Sequence, residues 1–239
     1  MRMFYWKINT FLILVVLSLS ALGQYKEGKI IYERRTNLYK TLGPRAKDWV
    51  KEKNKIKKEV FELTFTDTAS FYQLQPTDIA DPMPWGTNKN TVYRNLATTR
   101  FYSIRDMWGQ GVHIEDEMPK RDWKSTESKR VIAGFECRKA FWQVDDSTRI
   151  YAWYCDEIIP EIGPERFNGL PGAILGIASE DGGTVYFATK IDFYQPKPEQ
   201  LEIKRSKKVQ DLKETREQIE TTMSKSPWMK MNIEHYFIW

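Results

Sequence analysis

Side chains that most often hold metals or act as nucleophiles and their bases are scarce in this chain, which has two cysteines and two histidines. His113 stands between Val112 and Ile114 and precedes Glu115, Asp116 and Glu117, so it reads as an ordinary polar member of a strand. His235, beside Tyr236 in an aromatic tail, reads the same way. Carboxylates cluster at Glu115 to Glu117, at Asp145 with Asp146, and at Asp156 with Glu157. Groups of this kind suit a calcium site or the paired acids of a hydrolase, but here they lack EF-hand spacing and fit solvated turns. No G-x-S-x-G, H-E-x-x-H, S-x-x-K, G-x-G-x-x-G or G-x-x-x-x-G-K-[ST] pattern occurs. The sequence therefore assigns no catalytic residue, no metal ligand and no cofactor.

The two cysteines carry a different chemistry. Cys137 and Cys155 lie at equal distance from Asp146 in the turn Asp145, Asp146, Ser147. A three-residue hairpin loop there makes residues whose numbers sum to 292 face each other, placing the two cysteines opposite one another within reach of a disulfide. A two-residue loop would put the sulfurs on opposite faces. The competing reading, a redox or metal-binding dithiol, lacks a C-x-x-C spacing and a nearby histidine. The expectation is a structural bridge, formed in an oxidising compartment. The same register sets Phe135, Phe141, Tyr151 and Trp153 on the cysteine face.

These residues need a frame, and the composition indicates which. Two hundred and thirty-nine residues, 41% hydrophobic and 14% aromatic, suit one folded domain and exclude a disordered chain. Phe61, Leu63 and Phe65 alternate with Glu62, Thr64 and Thr66, the period of a strand with one buried face. Candidate hairpins pair 61–66 with 69–74, 101–105 with 112–117, 131–144 with 149–156, and 173–178 with 184–193. The fold class expected is mainly β: antiparallel hairpins forming a curved sheet, a sandwich or a partial barrel. Residues 48–59, rich in lysine, read as a short helix or a solvated loop, and 78–90 as an ordered loop. Val209, Leu212, Ile219 and Met223 mark one face of an amphipathic helix expected over 204–225. The tail Tyr236, Phe237, Ile238, Trp239 has the look of a terminal strand. A small outer-membrane barrel is disfavoured, because the candidate strands fall short of ~9 to 11 residues.

At the N-terminus, Arg2 and Lys7 precede an apolar run from Phe11 to Leu17, with Ala21 and Gly23 placed for cleavage before Gln24. This is the anatomy of a secretory signal peptide over 1–23, too short in its apolar core to span a bilayer. The expected mature chain, a single domain over 24–239, has no transmembrane span. Losing Arg2 and Lys7 lowers the formal charge from +5 to +3, which leaves little to hold nucleic acid.

Between Pro160 and Gly172 the chain concentrates turn formers: Gly163, Pro164, Gly169, Leu170, Pro171 and Gly172 build a stiff corner that enters an apolar run. Pro171 and Gly172 suit the central positions of a type II turn, and Asn168 with Gly169 offers another left-handed position. Glu165, Arg166 and Phe167 are candidate binding residues, exposed on that frame as a recognition edge; a purely structural corner is the competing reading. This segment resembles the GLPGLI family of exported envelope proteins, with Ala173 where the motif has leucine. Ala152, Trp153, Tyr154, Ile159 and Pro160 match further family features, as do Gly134, Phe135, Cys137, Lys139 and Ala140 upstream. The resemblance implies a periplasmic, outer-membrane-associated or extracellular protein that binds or scaffolds, without an assigned activity. Its partners would lie among outer-membrane or other envelope proteins, by analogy a nutrient receptor. The alternatives kept open are a hydrolase using Asp156 and Glu157, and a carrier of an apolar ligand.

Overall fold

The computed structural model describes residues 24–81, 83–107, 110–225 and 233–239, and the expected signal segment 1–23 lies outside them. Eleven strands dominate: β1 Gly28–Asn37, β2 Ile56–Phe65, β3 Ala69–Leu74, β4 Thr91–Asn95, β5 Arg100–Met107, β6 Gln110–Glu117, β7 Trp123–Ile132, β8 Phe135–Gln143, β9 Arg149–Cys155, β10 Ala173–Ser179 and β11 Thr184–Asp192. They form one antiparallel sheet in the order β6-β5-β4-β3-β2-β1-β11-β10-β9-β8-β7. Alternation in the sequence sets the faces. Ile30, Tyr32, Arg34 and Thr36 of β1 and Glu59, Phe61, Leu63 and Phe65 of β2 are all buried, with more exposed residues mostly between them.

The order amounts to two meanders that share the β1–β11 pair, which runs from Lys29↔Asp192 to Thr36↔Thr184. A flat sheet of this many strands would be about 50 Å wide. Yet its two edges, β6 and β7, are joined by residues 118–122 alone, a link that reaches about 20 Å. The sheet must therefore curl until its edges meet at that link. Curling encloses one core cluster, to which β1, β2, β5, β8, β9 and β10 all contribute. Trp123 at the start of β7, Phe167 and Trp239 pack in series inside it, with ring centroids 6.4 and 5.4 Å apart.

The mainly β antiparallel expectation holds, as do the hairpins β2–β3, β5–β6 and β10–β11. The span read as one long arm before Asp145 is two strands, β7 and β8, because Ala133 and Gly134 both take positive φ and turn the chain. Residues 48–59 are neither one helix nor one loop: short 3-10 turns give way to β2 at Ile56. Short helix α1 covers Leu38–Thr41. The amphipathic helix, α2, runs only from Leu212 to Ser224, with Ile219 buried and Val209 outside it. Residues before it lie extended, and Gln210 bridges to the edge strand β6 at Ile114. The aromatic tail is helical over Ile233–Ile238 (α3), not a strand.

The register of sum 292 is in place from Arg138↔Tyr154 to Gln143↔Arg149, so the hairpin geometry inferred for the cysteines is correct up to their neighbours. The bridge itself is not formed: Cys137 and Cys155 are free thiols, both buried. Cys137 Sγ instead donates to the Phe135 carbonyl at 3.5 Å, turning back along its own strand.

Helix α2 starts on a reciprocal cap. Asp211 Oδ1 accepts from the Glu214 amide at 2.7 Å, and Glu214 Oε2 accepts from the Asp211 amide at 3.1 Å. Asp211→Ala should cost about 1 kcal/mol in thermal or urea denaturation, with the sheet signal in circular dichroism unchanged at low temperature.

Candidate functional site

The β9–β10 connection carries the Gly-Pro corner, and it folds into the curled sheet instead of out from it. Ala173 N donates to Ile158 O at 2.9 Å and Ile174 N to Ile162 O at 2.7 Å, laying the segment along the start of β10. Two glycines make that approach possible. A Cβ on Gly163 would sit 2.9 Å from Ile174 Cβ; one on Gly172 would sit 2.1 Å from the Cys155 carbonyl oxygen, and Gly172 has φ 117°. Gly163, Pro164, Leu170 and Gly172 are buried, while Gly169 and Pro171 face out.

Burial overturns the reading of Glu165, Arg166 and Phe167 as an exposed edge: all three are buried. The corner points inward because the curled sheet leaves a volume that its own strands do not fill. Glu165 takes φ 53°, unusual for a residue with a Cβ, and polar contacts on both carboxylate oxygens hold it there. Tyr186 Oη donates to Oε1 at 2.8 Å and Asn90 Nδ2 to Oε2 at 2.9 Å, with Arg34 Nη1 3.6 Å from Oε1. Phe167 packs among Trp123, Trp239 and Arg121.

Arginines tie the corner down by its backbone. Arg94 of β4 donates to the carbonyls of Phe167 (2.8 Å) and Gly163 and to Ser70 Oγ (3.0 Å). Arg121, in the link between the sheet edges, donates to Arg166 O at 2.8 Å and to Asn168 Oδ1 at 3.0 Å. Arg166 in turn donates to Phe237 O and Trp239 O, and Trp123 Nε1 to Asn168 O. Burial pulls Arg94 down to about 10 and Arg121 to about 9, so both stay charged at neutral pH. Burial also holds Arg166 well below the ordinary arginine value, with Arg105 and Arg121 adding repulsion.

From Glu165 the polar network runs outward. Arg34 lies across from Glu59 on β2 and Tyr186 on β11 in the sheet register. It donates to Glu59 Oε2 through Nη2 (2.6 Å) and Nε (3.1 Å), and to Tyr186 Oη at 3.2 Å. Glu59 accepts from Thr87 and lies 3.6 Å from both Lys57 and Lys89, which also pair with Asp81 at 2.7 and 3.4 Å. Burial pushes the Glu59 carboxyl up, but Arg34, through charge and hydrogen bonds, together with Thr87 and Lys57, brings it below the ordinary glutamate value.

This outer end of the network borders a groove of about 460 Å³. Residues 56–60 of β2 line one part of it, 74–77 and 79–81 with Met83 another, and Lys53 and Lys89 also border it. Its apolar members are unusually open, with Ile79 81%, Ile56 45% and Val60 38% exposed. Its lining comes largely from two segments singled out in the sequence, 48–59 and 78–90, and none of the candidate binding residues lies here. A lysine-rich tract hides the strand, since the apolar alternation of β2 becomes clear only from Phe61 onward.

Other candidates resolve as structural. His113 meets Tyr102 Oη at 2.9 Å. Asp156 is exposed and pairs with Arg138 at 3.2 Å, and neither Asp156 nor Glu157 lines the groove. Burial, with Cys155 close by, pushes the Cys137 thiol up to about 12, the opposite of a reactive thiolate.

A family model described as "Protein of unknown function (Porph_ging)" matches residues 115–176, about a quarter of the chain. The match runs from β6 through the Gly-Pro corner into β10. No curated protein matches the chain. Among solved structures, two crystal forms of one protein share its fold. "Structure of PNGF-II in P21 space group" superposes with a TM-score of 0.57 at 16% identity over 82% of this chain and 34% of that one. "Structure of PNGF-II in C2 space group" gives 0.53 at 15% identity over 78% and 31%. The chain thus spans about a third of the length of these matches. An uncharacterized conserved protein from Thermus thermophilus aligns over 83% of this chain and 98% of its own, at 8% identity and a TM-score of 0.41.

Crowding at the corner sets its tolerance to substitution. Gly172→Ala should destabilise by about 3 kcal/mol or more in urea titration, because it combines positive φ with a backbone collision, whereas exposed Pro171→Ala should cost under about 1 kcal/mol. Glu165→Leu should cost about 3 kcal/mol and Glu165→Gln roughly half that, since the amide keeps an acceptor. For Glu59 the folded value lies below the unfolded one, near 4.5. Its contribution is therefore complete above pH 4.5 and is lost as pH falls through the folded value. Denaturation midpoints measured from pH 7 to pH 3 should fall less steeply in Glu59→Gln than in the unaltered protein.

Proposed function

We propose that this chain is an exported, GLPGLI-type envelope protein that works by binding a partner and not by turnover. One observation carries the reading. The chain's own Gly-Pro corner fills the curled sheet, so the interior acts as a brace, and an open, partly apolar groove at the outer end of the network is left for contacts. The signal-like segment at 1–23 supports export, and the family match across the corner is in keeping with the GLPGLI resemblance. A carrier of an apolar ligand would need space where Phe167, Ile174 and Trp239 pack. A hydrolase based on Asp156 would need it to face a cleft, whereas it sits in an exposed ion pair.

Export also bears on the thiols. Their strands are in register for a cross-strand bridge, and in an oxidising compartment the pair should close by rotation of the Cys137 side chain. Peptide mapping of exported protein under non-reducing conditions should recover Cys137 linked to Cys155; two alkylatable thiols would exclude the bridge. Partner binding is tested by capture from detergent-solubilised envelope, comparing the unaltered chain with a Val60→Lys, Ile79→Asp variant. Both positions are solvent-facing, so the variant should fold. Partner recovery should drop severalfold, and equal recovery would remove the groove from the reading.

A further inference from the structure

The groove touches five successive residues of β2, 56 to 60. Side chains of successive strand residues point to opposite faces, so a groove that meets all five must run along the strand's edge and not over one face. The pairing confirms this. From Phe61 to Phe65, β2 is flanked by β1 and β3, but over Ile56–Glu59 it pairs with β1 alone among the described residues. The last bond on the β3 side is Gln75 N to Val60 O at 2.9 Å. Beyond it the chain turns away, at Pro76, toward the far wall of the groove. Because strand residues two apart direct their backbone groups the same way, the N–H and C=O of Lys58 and Ile56 also face the groove. No described residue bonds to them.

Resting on the binding reading above, we infer that the groove receives an extended peptide segment of a partner protein, which adds to the open edge of β2 in the line of β3. Backbone groups awaiting partners select a strand over a lipid or a sugar. The side chains define its pattern. Ile56, Lys58 and Val60 share the outer face, and neither Lys58 nor Lys53 has an ion-pair partner among the described residues. Cross-strand neighbours of like character and opposite charge then call for apolar, acidic and apolar residues at alternate positions. On the inner face Lys57, Glu59, Asp81 and Lys89 already satisfy one another, so small polar residues belong between. The sheet's other long free edge, β7, is a poorer receptor. Lys124, Glu127, Lys129 and Arg130 line it, and its pairing with β8 breaks between Ser125 and Lys129.

The test uses the full exported chain and a fluorescein-labelled heptapeptide, Ser-Val-Ser-Glu-Ser-Val-Ser, whose pattern reads the same in either direction. Fluorescence anisotropy should show saturable binding. Hydrogen exchange at the Ile56 and Lys58 amides should slow on binding, with the Phe61 to Phe65 amides unaffected. N-methylation of alternate peptide bonds should abolish binding. Lys58→Glu should weaken the peptide about fivefold, and a peptide with Lys in place of Glu should restore it. Equal binding of the N-methylated peptide, unchanged exchange at Ile56 and Lys58, or binding of phosphatidylglycerol vesicles or a soluble glycan in the peptide's place would each overturn the inference. If the peptide fails while envelope capture still depends on Val60 and Ile79, the inference falls and the binding reading stands.

Discussion

The buried ion pair between Arg34 and Glu59 is the interaction on which the rest of the architecture depends. It lies at the middle of the sheet, where β1 joins the two meanders, and both partners are almost fully removed from water. A buried charge pair repays its desolvation only when its remaining hydrogen-bonding capacity is used. Here Tyr186 and the Asn88 carbonyl take up Arg34, and Thr87 takes up Glu59. Glu165 completes the set from the opposite side. In this way a pair inside the sheet dictates where the Gly-Pro corner must rest.

Seen from the corner, the same constraint explains why arginine is the residue used throughout. The segment has many backbone carbonyls, three prolines that donate nothing, and little regular structure to satisfy it. Arg94, Arg121 and Arg166 each offer several donors on a planar head, so one side chain can serve two carbonyls or amides at once. Stiffness thus comes from two sources, ring and glycine geometry within the corner and guanidinium groups around it.

Much of the fold was legible in the sequence because β periodicity is local. Phe61, Leu63 and Phe65 alternate plainly, and the Asp145 turn is symmetrical enough to set a register that the sheet reproduces. The orientation of the corner was not legible. Glu165 and Arg166 are charged, and charged residues in a loop are ordinarily solvated; their burial depends on Arg34, Asn90 and the tail residues, which are distant in sequence. The groove was hidden for the complementary reason. Lys57 and Lys58 make the start of β2 look like a polar loop, and its open edge exists only because β3 stops one strand-half short. The helix α2 starts later than the spacing suggests because Val209 continues the helical pattern while the backbone of the next residue, Gln210, serves the edge of β6.

The β1–β11 pair has a consequence for the order in which the molecule can be built. Lys29 meets Asp192 and Thr36 meets Thr184, partners separated by nearly the whole length of the sheet-forming chain. Until the last strand is available, β1 has only β2 beside it, and no strand pair joins the two halves of the sheet, β1–β6 and β7–β10. A pairing across so long a stretch of chain must wait for that loop to close, which slows completion of the sheet. The hairpins within each meander need only neighbouring strands, so β11 is the closing piece that turns two half-sheets into one.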